Sequence, residues 1–216
     1  MSREVQVRFC ESRAVQSRPA THLVAGFEYE DDARQFLADL RERFARFGLE
    51  LHPDKTRLLE FGRHAARRRA ARGVGKPETF DFLGFTHLCG KTKTGRFWLR
   101  RITISKRMRA KLREVNDQLK RRRHQPIPMQ GQWLAAVVRG HLAYFAVPGN
   151  TDAVAAFRTQ ATRHWYKALR RRSQHTRLNW GRMNRIAKRW LPPARVKHPF
   201  PNVRFDARTR GRSPVR

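Results

Sequence analysis

The apolar residues of the first part of the chain alternate between strand and helix periods. Residues 22–27 (HLVAGF) form a short apolar run typical of a strand, and apolar residues at 33–47 then recur at helical spacing until Gly48 ends the pattern. Two further strands are predicted at residues 49–51 and 56–61, on either side of a turn. This order of elements predicts a small unit of mixed α and β structure.

A basic stretch separates this unit from the next strand pattern. Residues 62–77 (GRHAARRRAARGVGKP) are predicted to form a basic loop with glycine at its end. Residues 79–88 then resume the strand pattern, which breaks at Gly84, where a tight turn is expected. Residues 1–21 show no clear period, and we expect an irregular leader with little order there.

After Gly95 the pattern becomes helical. A helix is predicted from Ser105, as its N-cap, to about Arg123, with an apolar stripe running from Met108 to Leu119. Lysine and arginine fill most of its other positions. One face of this helix is therefore predicted to pack, while the other faces are cationic.

Three more helices are predicted downstream. Residues 132–145 form the first, Thr151 caps the second, and residues 180–190 form the third, which ends before two prolines. Residues 195–216 are rich in arginine and proline and are expected to be poorly ordered. These patterns predict an α+β protein in which a partial α/β unit is followed by a helical bundle and a basic, partly disordered tail.

The charge of the chain adds an expectation about its partner. Lysine and arginine number 49 against 17 aspartates and glutamates in 216 residues, a formal net charge of +32. Because 11 of the 17 acids lie within residues 1–60, the positive potential belongs mainly to the part that follows. Each phosphate that such a surface neutralises releases condensed counterions, so a nucleic acid is the expected partner and an anionic membrane the rival.

Several other classes of protein find no support in the sequence. No apolar run approaches the length of a spanning helix and the N-terminus lacks a signal peptide's apolar core, so we expect a cytoplasmic protein. Cys10 and Cys89 lie far apart without neighbouring ligands, and we expect two reduced thiols rather than a disulfide or a zinc site. No nucleophile triad, phosphate-cradling loop or metal-ligand cluster is visible, so no cofactor is expected.

Residues 29–32 spell Tyr-x-Asp-Asp, the pattern with which reverse transcriptases hold two catalytic magnesium ions. The polymerase motif lies at the tip of a hairpin, whereas here the two aspartates lead into an amphipathic helix, whose positive end favours acids. A further carboxylate from a preceding strand is also needed, and only Glu4 and Glu11 lie upstream, in the irregular leader. We therefore interpret Asp31 and Asp32 as helix N-terminal residues and predict no catalytic or metal site.

Four runs of sequence occur in an order that carries a family resemblance: HLVAGFEYEDDARQFLADLRERFARFGLELHPDKTRLLEFGR, GKPETFDFLGFTHLCGKTKTGRF, SKRMRAKLREVNDQLKRRRHQPIP and VVRGHLAYFAVPGN. Together they resemble the C-terminal half of bacterial group II intron reverse transcriptase/maturases, over about residues 22–205. The resemblance implies a palm remnant at 22–98, a thumb/maturase region at 99–172 and a DNA-binding-like basic segment with a tail at 173–216.

The resemblance also implies missing parts. In that family a catalytic Tyr-Ala-Asp-Asp immediately precedes the strand that resembles residues 22–27, and this chain has Arg-Pro-Ala-Thr at 18–21 instead. The fingers, the first palm carboxylate and the metal-binding pair are thus expected to be absent. No cysteine- and histidine-rich endonuclease module follows, so DNA cleavage is not implied.

Candidate functional residues follow position by position from the resemblance. Lys55 matches a family lysine near the phosphates of the incoming nucleotide, and Phe82, Leu83, Gly84 and Phe85 match the primer-grip hairpin, where glycine lets the backbone approach the primer. A solvated turn lysine and ordinary core residues are the alternatives. The RNA-binding cations expected in the helical region are Lys106, Arg107, Arg109, Lys111, Arg113, Arg121, Arg122, Arg123, Arg139, Lys167, Arg170, Arg171 and Arg172.

Aromatic residues beside these cations have two interpretations. His164, Trp165 and Tyr166 could stack on unpaired bases, but aromatic residues at helical spacing more often belong to a core. We assign Trp165 to the core and leave Tyr166 open. His141 is expected to be a hydrogen-bonded interior residue rather than a catalyst.

Three hypotheses for function remain. The first is a maturase-like fragment that binds group II intron RNA or another structured RNA, with DNA as a further partner, and assists splicing without polymerase chemistry. The second is an active RNA-directed DNA polymerase, in which Asp31 and Asp32 would bind Mg²⁺. The third is a nonspecific basic nucleic-acid binder or a decayed remnant of a mobile element. No membrane partner or small-molecule substrate is expected.

Overall fold

The structure, a computed structural model, describes residues 5–10, 22–173 and 177–200. The described part contains six α-helices and two three-stranded sheets, which confirms the α+β class. The chain divides between Arg100 and Arg101 into two compact units. The predictions for residues 1–4, 11–21 and 201–216 lie outside the described residues.

The first sheet of the N-terminal unit has the strand order β2-β1-β3. Its strands are β1 (Val5–Cys10), β2 (His22–Phe27) and β3 (Arg57–Glu60). The central strand is β1, and both of its neighbours run antiparallel to it. The predicted irregular leader is therefore wrong for residues 5–10, where VQVRFC alternates apolar and polar residues with the period of a strand.

Helix α1 (Glu30–Ala45) packs its apolar stripe against this sheet. Ala33 is fully buried among residues of the sheet and of the helix, and the Phe27 and Phe36 ring centroids lie 5.1 Å apart. Gly48, with a φ of +66°, lies in the turn that follows the helix, as predicted. The strand predicted at residues 49–51 is absent: these residues form no strand, and Leu51 packs into the apolar cluster around Ala33.

The stretch predicted as a basic loop contains helix α2 (Ala65–Ala71), so that prediction is wrong. Its sequence, AARRRAA, consists of two residue types with high helix propensity. Arg68 Nε donates to Glu60 Oε1 at 2.7 Å, and Arg72 binds the other oxygen of the same carboxylate. These ion pairs attach the helix to the end of β3.

The second sheet has the order β4-β5-β6, with β4 (Phe80–Phe82), β5 (Phe85–Lys91) and β6 (Phe97–Thr103). Strands β4 and β5 form a hairpin with Phe82 opposite Phe85, so its loop consists of Leu83 and Gly84 alone. Both loop residues have positive φ, +47° and +85°, as in a type I′ turn. The turn predicted at Gly84 is confirmed, whereas β6 was not predicted.

The second unit is built from four helices: α3 (Ser105–Arg121), α4 (Ile127–Phe145), α5 (Thr151–Arg170) and α6 (Trp180–Trp190). All four were predicted, although α4 begins before residue 132 because Pro128 lies in its first turn, where proline is tolerated. The predicted caps Ser105 and Thr151 are instead the first helical residues. Ile104 and Asn150 hold the N-cap positions, and neither side chain caps its helix.

One apolar core joins these helices. Trp165 and Phe157 of α5 are its largest fully buried side chains, and Met183 anchors α6 to it. Gly131 of α4 lets Trp190 approach closely, since a Cβ there would lie 2.6 Å from the indole. The buried residues of this core that lie on the four helices are Leu112, Val115, Leu119, Leu134, Val138, Leu142, Val154, Phe157, Ala161, Trp165, Ala168, Leu169, Met183 and Ala187.

The segment after α6 is held in place at one point. Residues 195–200 form no helix or strand, yet the backbone N–H groups of Lys197 and His198 donate to the Ala146 carbonyl at 2.8 and 3.3 Å. His198 Nε2 also lies 2.7 Å from the Ala143 carbonyl. The expectation of poor order is therefore wrong for Lys197 and His198, because they satisfy carbonyls at the end of α4.

Candidate nucleic-acid interface

The solvent-facing side of α3 carries a group of cations that no described acid neutralises. The core side of the same helix is fixed by Leu112, Val115 and Leu119, which are all buried. Lys111 and Lys120 bind Glu114 and Asp117 at 2.9 and 3.0 Å. Five other cations are exposed and make no ion pair with any described residue, and we call them the α3 cationic face: Lys106, Arg107, Arg109, Arg113 and Arg121.

Helical geometry puts these five residues together. At 3.6 residues per turn, they occupy about half of the helix circumference, opposite the buried leucines and valine. Their positions are fixed because the helix is packed along its length, so the cations form a preordered array rather than a flexible tail. This array matches the sequence prediction for these residues.

Other cations predicted to bind RNA have contacts within the protein. Arg122 and Arg123 are half-buried, and the Arg122 guanidinium lies 5.0 Å from the Trp133 ring centroid. Arg172 Nη2 donates to the His124 carbonyl at 3.4 Å. Arg139 is exposed on α4. Arg122 and Arg172 thus help to hold the end of α3, and together with the half-buried Arg123 they belong less to the open surface than predicted.

A second candidate surface lies between α5 and α6. The rings of Tyr166 and Trp180 stack with centroids 4.2 Å apart, and the Arg170 guanidinium lies 5.7 Å from the Tyr166 centroid. A cleft of about 430 Å³ opens beside them, lined by both aromatic residues and by Arg163, Lys167, Arg170 and Arg171. The structure therefore brings three of the predicted cations together with two residues that the sequence analysis missed, Arg163 and Trp180.

The two aromatic assignments made from sequence have different outcomes. Trp165 is fully buried and its indole N–H donates to Gln130 Oε1 at 2.9 Å, which confirms it as a core residue. Tyr166, left open, is half-buried; its hydroxyl donates to the Leu178 carbonyl at 3.3 Å. Its ring therefore links the core to the exposed Trp180.

His141 lies in the interior, as predicted, with its ring stacked on that of Phe157 at a centroid distance of 3.6 Å. Its Nε2 atom is buried and has no hydrogen-bond partner among the described residues, so the expected hydrogen bond is absent at that atom. Burial, together with the nearby charge of Lys111, lowers the pKa of His141 to about 4. The side chain is therefore neutral at physiological pH.

This pKa predicts a pH-dependent loss of stability. Above about pH 6.5 His141 is neutral in both states, but between pH 6.5 and 4 the unfolded chain binds a proton that the folded chain excludes. The free energy of unfolding should fall by about 3 kcal/mol across this range from His141 alone. His141→Leu should remove that part of the decrease, measured by urea unfolding at pH 7, 5.5 and 4.5. Parallel curves for the two proteins would contradict it.

The candidate residues of the N-terminal unit are dispersed. Lys55 is exposed at the end of the short 3₁₀ turn Pro53–Lys55. Of the primer-grip-like residues, Phe82 is half-buried, Gly84 and Phe85 are buried, and Leu83 is 60% exposed at the hairpin tip. Cys89 is a half-buried thiol whose sulfur contacts both backbone groups of Gly62.

Asp31 and Asp32 lie in the first turn of α1, as the interpretation of the Tyr-x-Asp-Asp sequence predicted. A strand does precede them, contrary to the predicted leader, but β1 contains no aspartate or glutamate. Within residues 5–10, 22–173 and 177–200, no three histidine, cysteine, aspartate or glutamate side chains come together as metal ligands. No helix in that part of the chain is long and apolar enough to cross a membrane.

The fold and surfaces define an α+β protein with a cationic helical unit. No known protein-family model matches the chain, and no curated protein matches it. The resemblance to group II intron proteins therefore stays a prediction from the sequence motifs.

Proposed function

We propose that this protein is a maturase-like RNA-binding fragment of a group II intron reverse transcriptase, in which the helical unit binds structured intron RNA. The α3 cationic face carries the proposal, because five cations on a rigid helix, none of them paired with a described acid, are suited to contact several phosphates at once. Structured RNA is recognised mainly through shape and phosphate contacts, and a preordered array can select a particular arrangement of phosphates. The choice of intron RNA rests on the sequence motifs alone.

The N-terminal unit enters the proposal as a palm remnant. In support, it has an antiparallel sheet with a helix packed on it, followed by a hairpin with the exposed residue Leu83 at its tip. In the proposed protein this unit supplies no polymerase chemistry. Assistance with splicing would consist of stabilising the folded RNA.

Competition binding tests the proposal. We expect the full chain to prefer a folded group II intron RNA over an unfolded RNA of equal length, and to keep that preference at about 0.15 M salt, where the Debye length is about 8 Å. The triple variant Lys106→Gln, Arg109→Gln, Arg113→Gln should bind folded RNA about tenfold or more weakly. The slope of its plot of log affinity against log salt concentration should be smaller in magnitude by about 2 to 3, because each cation removed loses about one phosphate contact.

A matched triple variant distinguishes the effect of losing the α3 site from the effect of losing net charge. Arg41→Gln, Arg43→Gln and Lys93→Gln remove the same charge from exposed positions of the N-terminal unit, and we expect its affinity for folded RNA to stay within about threefold of the unmodified chain. Equal losses in the two triple variants, with no preference for folded RNA, would show a nonspecific polyanion binder and overturn the proposal.

A further inference from the structure

The exposed face of Trp180 is unexplained by the packing of its helix. Trp180, Met183 and Ala187 lie three and four positions apart on α6, a spacing that predicts one buried stripe. Met183 and Ala187 are indeed buried, but Trp180 remains 45% exposed. Tryptophan is enriched at binding interfaces, where one part of the ring packs on the protein and another part faces water.

The position of Trp180 is nevertheless well defined. It is the first residue of α6, and the Asn179 side chain caps that helix by accepting from the Arg182 N–H at 2.9 Å. On one side its ring stacks on Tyr166, whose hydroxyl is in turn bonded to the Leu178 carbonyl. The indole is therefore a preorganised platform, and a ligand that stacks on it does not first have to order the side chain.

Trp180 also stands between two clefts of the helical unit. The cleft of about 430 Å³ described above lies on the Tyr166 side, and a second, of about 480 Å³, is lined by Trp180, Arg163, Thr162, Asn184 and Lys188, among others. Both volumes lie in the range of small-ligand sites. Among the described residues, no aspartate or glutamate lines either cleft.

The cations around Trp180 are available to an anionic ligand. Arg163, Lys167, Arg170, Arg171 and Lys188 are exposed, and none makes an ion pair with a described residue. Arg158, also at the second cleft, is instead used within the protein, where its Nε donates to the Pro192 carbonyl at 2.9 Å. An aromatic platform between cations, with no acid in the described lining, fits a flat ring that carries phosphates on both sides.

We propose that the α5–α6 cleft of about 430 Å³ binds an unpaired RNA nucleotide, whose base stacks on Trp180 while its flanking phosphates contact the cations of the same lining, Arg163, Lys167, Arg170 and Arg171. This inference rests on the proposed RNA-binding function and adds a site for unpaired bases to the phosphate-binding face of α3. A base within a duplex cannot reach the platform, because its faces are already stacked. The site therefore distinguishes bulges, loops and single strands from paired RNA.

The test compares a single-stranded RNA decamer, its duplex and a single-stranded DNA decamer of the same sequence. Trp180→Ala should weaken binding of the single-stranded RNA about tenfold or more and leave duplex binding within about twofold. Trp180→Phe, which keeps an aromatic ring, should restore most of the affinity. If Trp180→Ala loses a comparable amount of affinity for the single-stranded DNA decamer, the result would support a site that recognises the base and not the 2′-hydroxyl.

A fluorescent reporter gives a second measurement that does not depend on affinity. With 2-aminopurine at one unpaired position of the decamer, binding of the unmodified chain should quench the fluorescence, because the base stacks on the indole. Trp180→Phe should quench it less, and a duplex with the same reporter should show no change in either protein. If a thermal scan shows that Trp180→Ala is unfolded at the assay temperature, the comparison of Trp180→Phe with the unmodified chain still tests the nucleotide site.

The outcomes separate this inference from the proposed function. If Trp180→Ala binds single strands as well as the unmodified chain does, or loses duplex and single strand equally, the nucleotide site is wrong while the α3 result still stands. Competition by a polyglutamate peptide as strong as that by RNA would likewise overturn it, since such a site would recognise only negative charge. If instead the α3 variants fail and Trp180→Ala behaves as expected, the proposed intron-binding function fails and the stacking site remains.

Discussion

Gln130→Leu should lower the free energy of unfolding of the helical unit by about 3 to 5 kcal/mol. The side chain is fully buried, and its Nε2 donates to the carbonyls of Arg122, Arg123 and Gln125 at 3.0, 3.0 and 2.9 Å. The Arg123 and Gln125 carbonyls lie in the turn after α3, where no described backbone N–H binds them, whereas the Arg122 carbonyl also accepts from the Gln125 N–H at 3.0 Å. The amide oxygen of Gln130 accepts from the indole of Trp165.

Leucine fills a similar volume but leaves that indole N–H and the Arg123 and Gln125 carbonyls without a partner among the described residues. Each unsatisfied buried group costs about 1 to 3 kcal/mol, which is why the expected effect exceeds that of losing one hydrogen bond. All tryptophans except Trp98 lie in the helical unit, so their fluorescence during urea unfolding follows this unit.

The matched control for this prediction is Gln132→Leu, two positions along α4, where the side chain is exposed; it should change stability by less than about 0.5 kcal/mol. Combining Gln130→Leu with Trp165→Phe should cost less than the sum of the two single changes, because each removes the same hydrogen bond. Equal stability of Gln130→Leu and Gln132→Leu would show that water satisfies these groups and would contradict the prediction.

The four predicted helices of the second unit share one property, a long apolar period. Helices α3 to α6 repeat apolar residues over three or more turns, and burying that stripe is what stabilises them. The same period indicates which side of α3 faces solvent, so its cationic face is predictable from the sequence alone. Strands β2 and β3 were also predicted, from short apolar runs, but other short elements were missed because their existence depends on partners elsewhere in the chain.

Helix α2 and strand β1 illustrate the difference. The seven residues of α2 contain no large apolar side chain, and its arginines pair with Glu60, several residues earlier. Strand β1 has a clear alternation over six residues, but β2 and β3 on its two sides come from residues that are distant in sequence. Because the residues around β1 are mainly polar, the wider pattern favours irregular structure and hides the strand.

The contacts of the second candidate surface could not be predicted from the sequence, because they too depend on partners elsewhere in the chain. Tyr166 and Trp180 meet only because α6 returns to pack beside α5, and no local period encodes that return. The spacing within α6 favours a buried Trp180, which is the wrong environment. Sequence could therefore name the cations of this cleft but not the aromatic platform that gives it a chemistry.

Asn150→Ala should destabilise the helical unit by about 2 to 4 kcal/mol, the second largest effect that we expect. Its side chain is almost fully buried, and its Oδ1 accepts from the Thr103 N–H at 3.0 Å. Its Nδ2 donates to the Thr103 hydroxyl at 2.7 Å and to the Phe145 carbonyl at 2.8 Å. From the sequence this asparagine was only a turn residue, but it joins the end of α4 to the strand that precedes α3.

Three groups lose a hydrogen bond at once in Asn150→Ala. The Phe145 carbonyl keeps the Val147 N–H at 2.8 Å, but the Thr103 N–H and hydroxyl lose the partner that the Asn150 side chain supplies. Thr103→Val removes only the hydroxyl and should cost less, about 1 kcal/mol. The Asn150 side chain keeps its hydrogen bonds to the Thr103 N–H and to the Phe145 carbonyl in that variant. Asn184→Ala, at an exposed position of α6, is the matched control and should stay within about 0.5 kcal/mol of the unmodified chain in the same urea titration. If Asn150→Ala were as mild as Asn184→Ala, the junction between β6 and the α4–α5 turn would have to be held by apolar packing alone, and Thr103→Val would then have no measurable effect either.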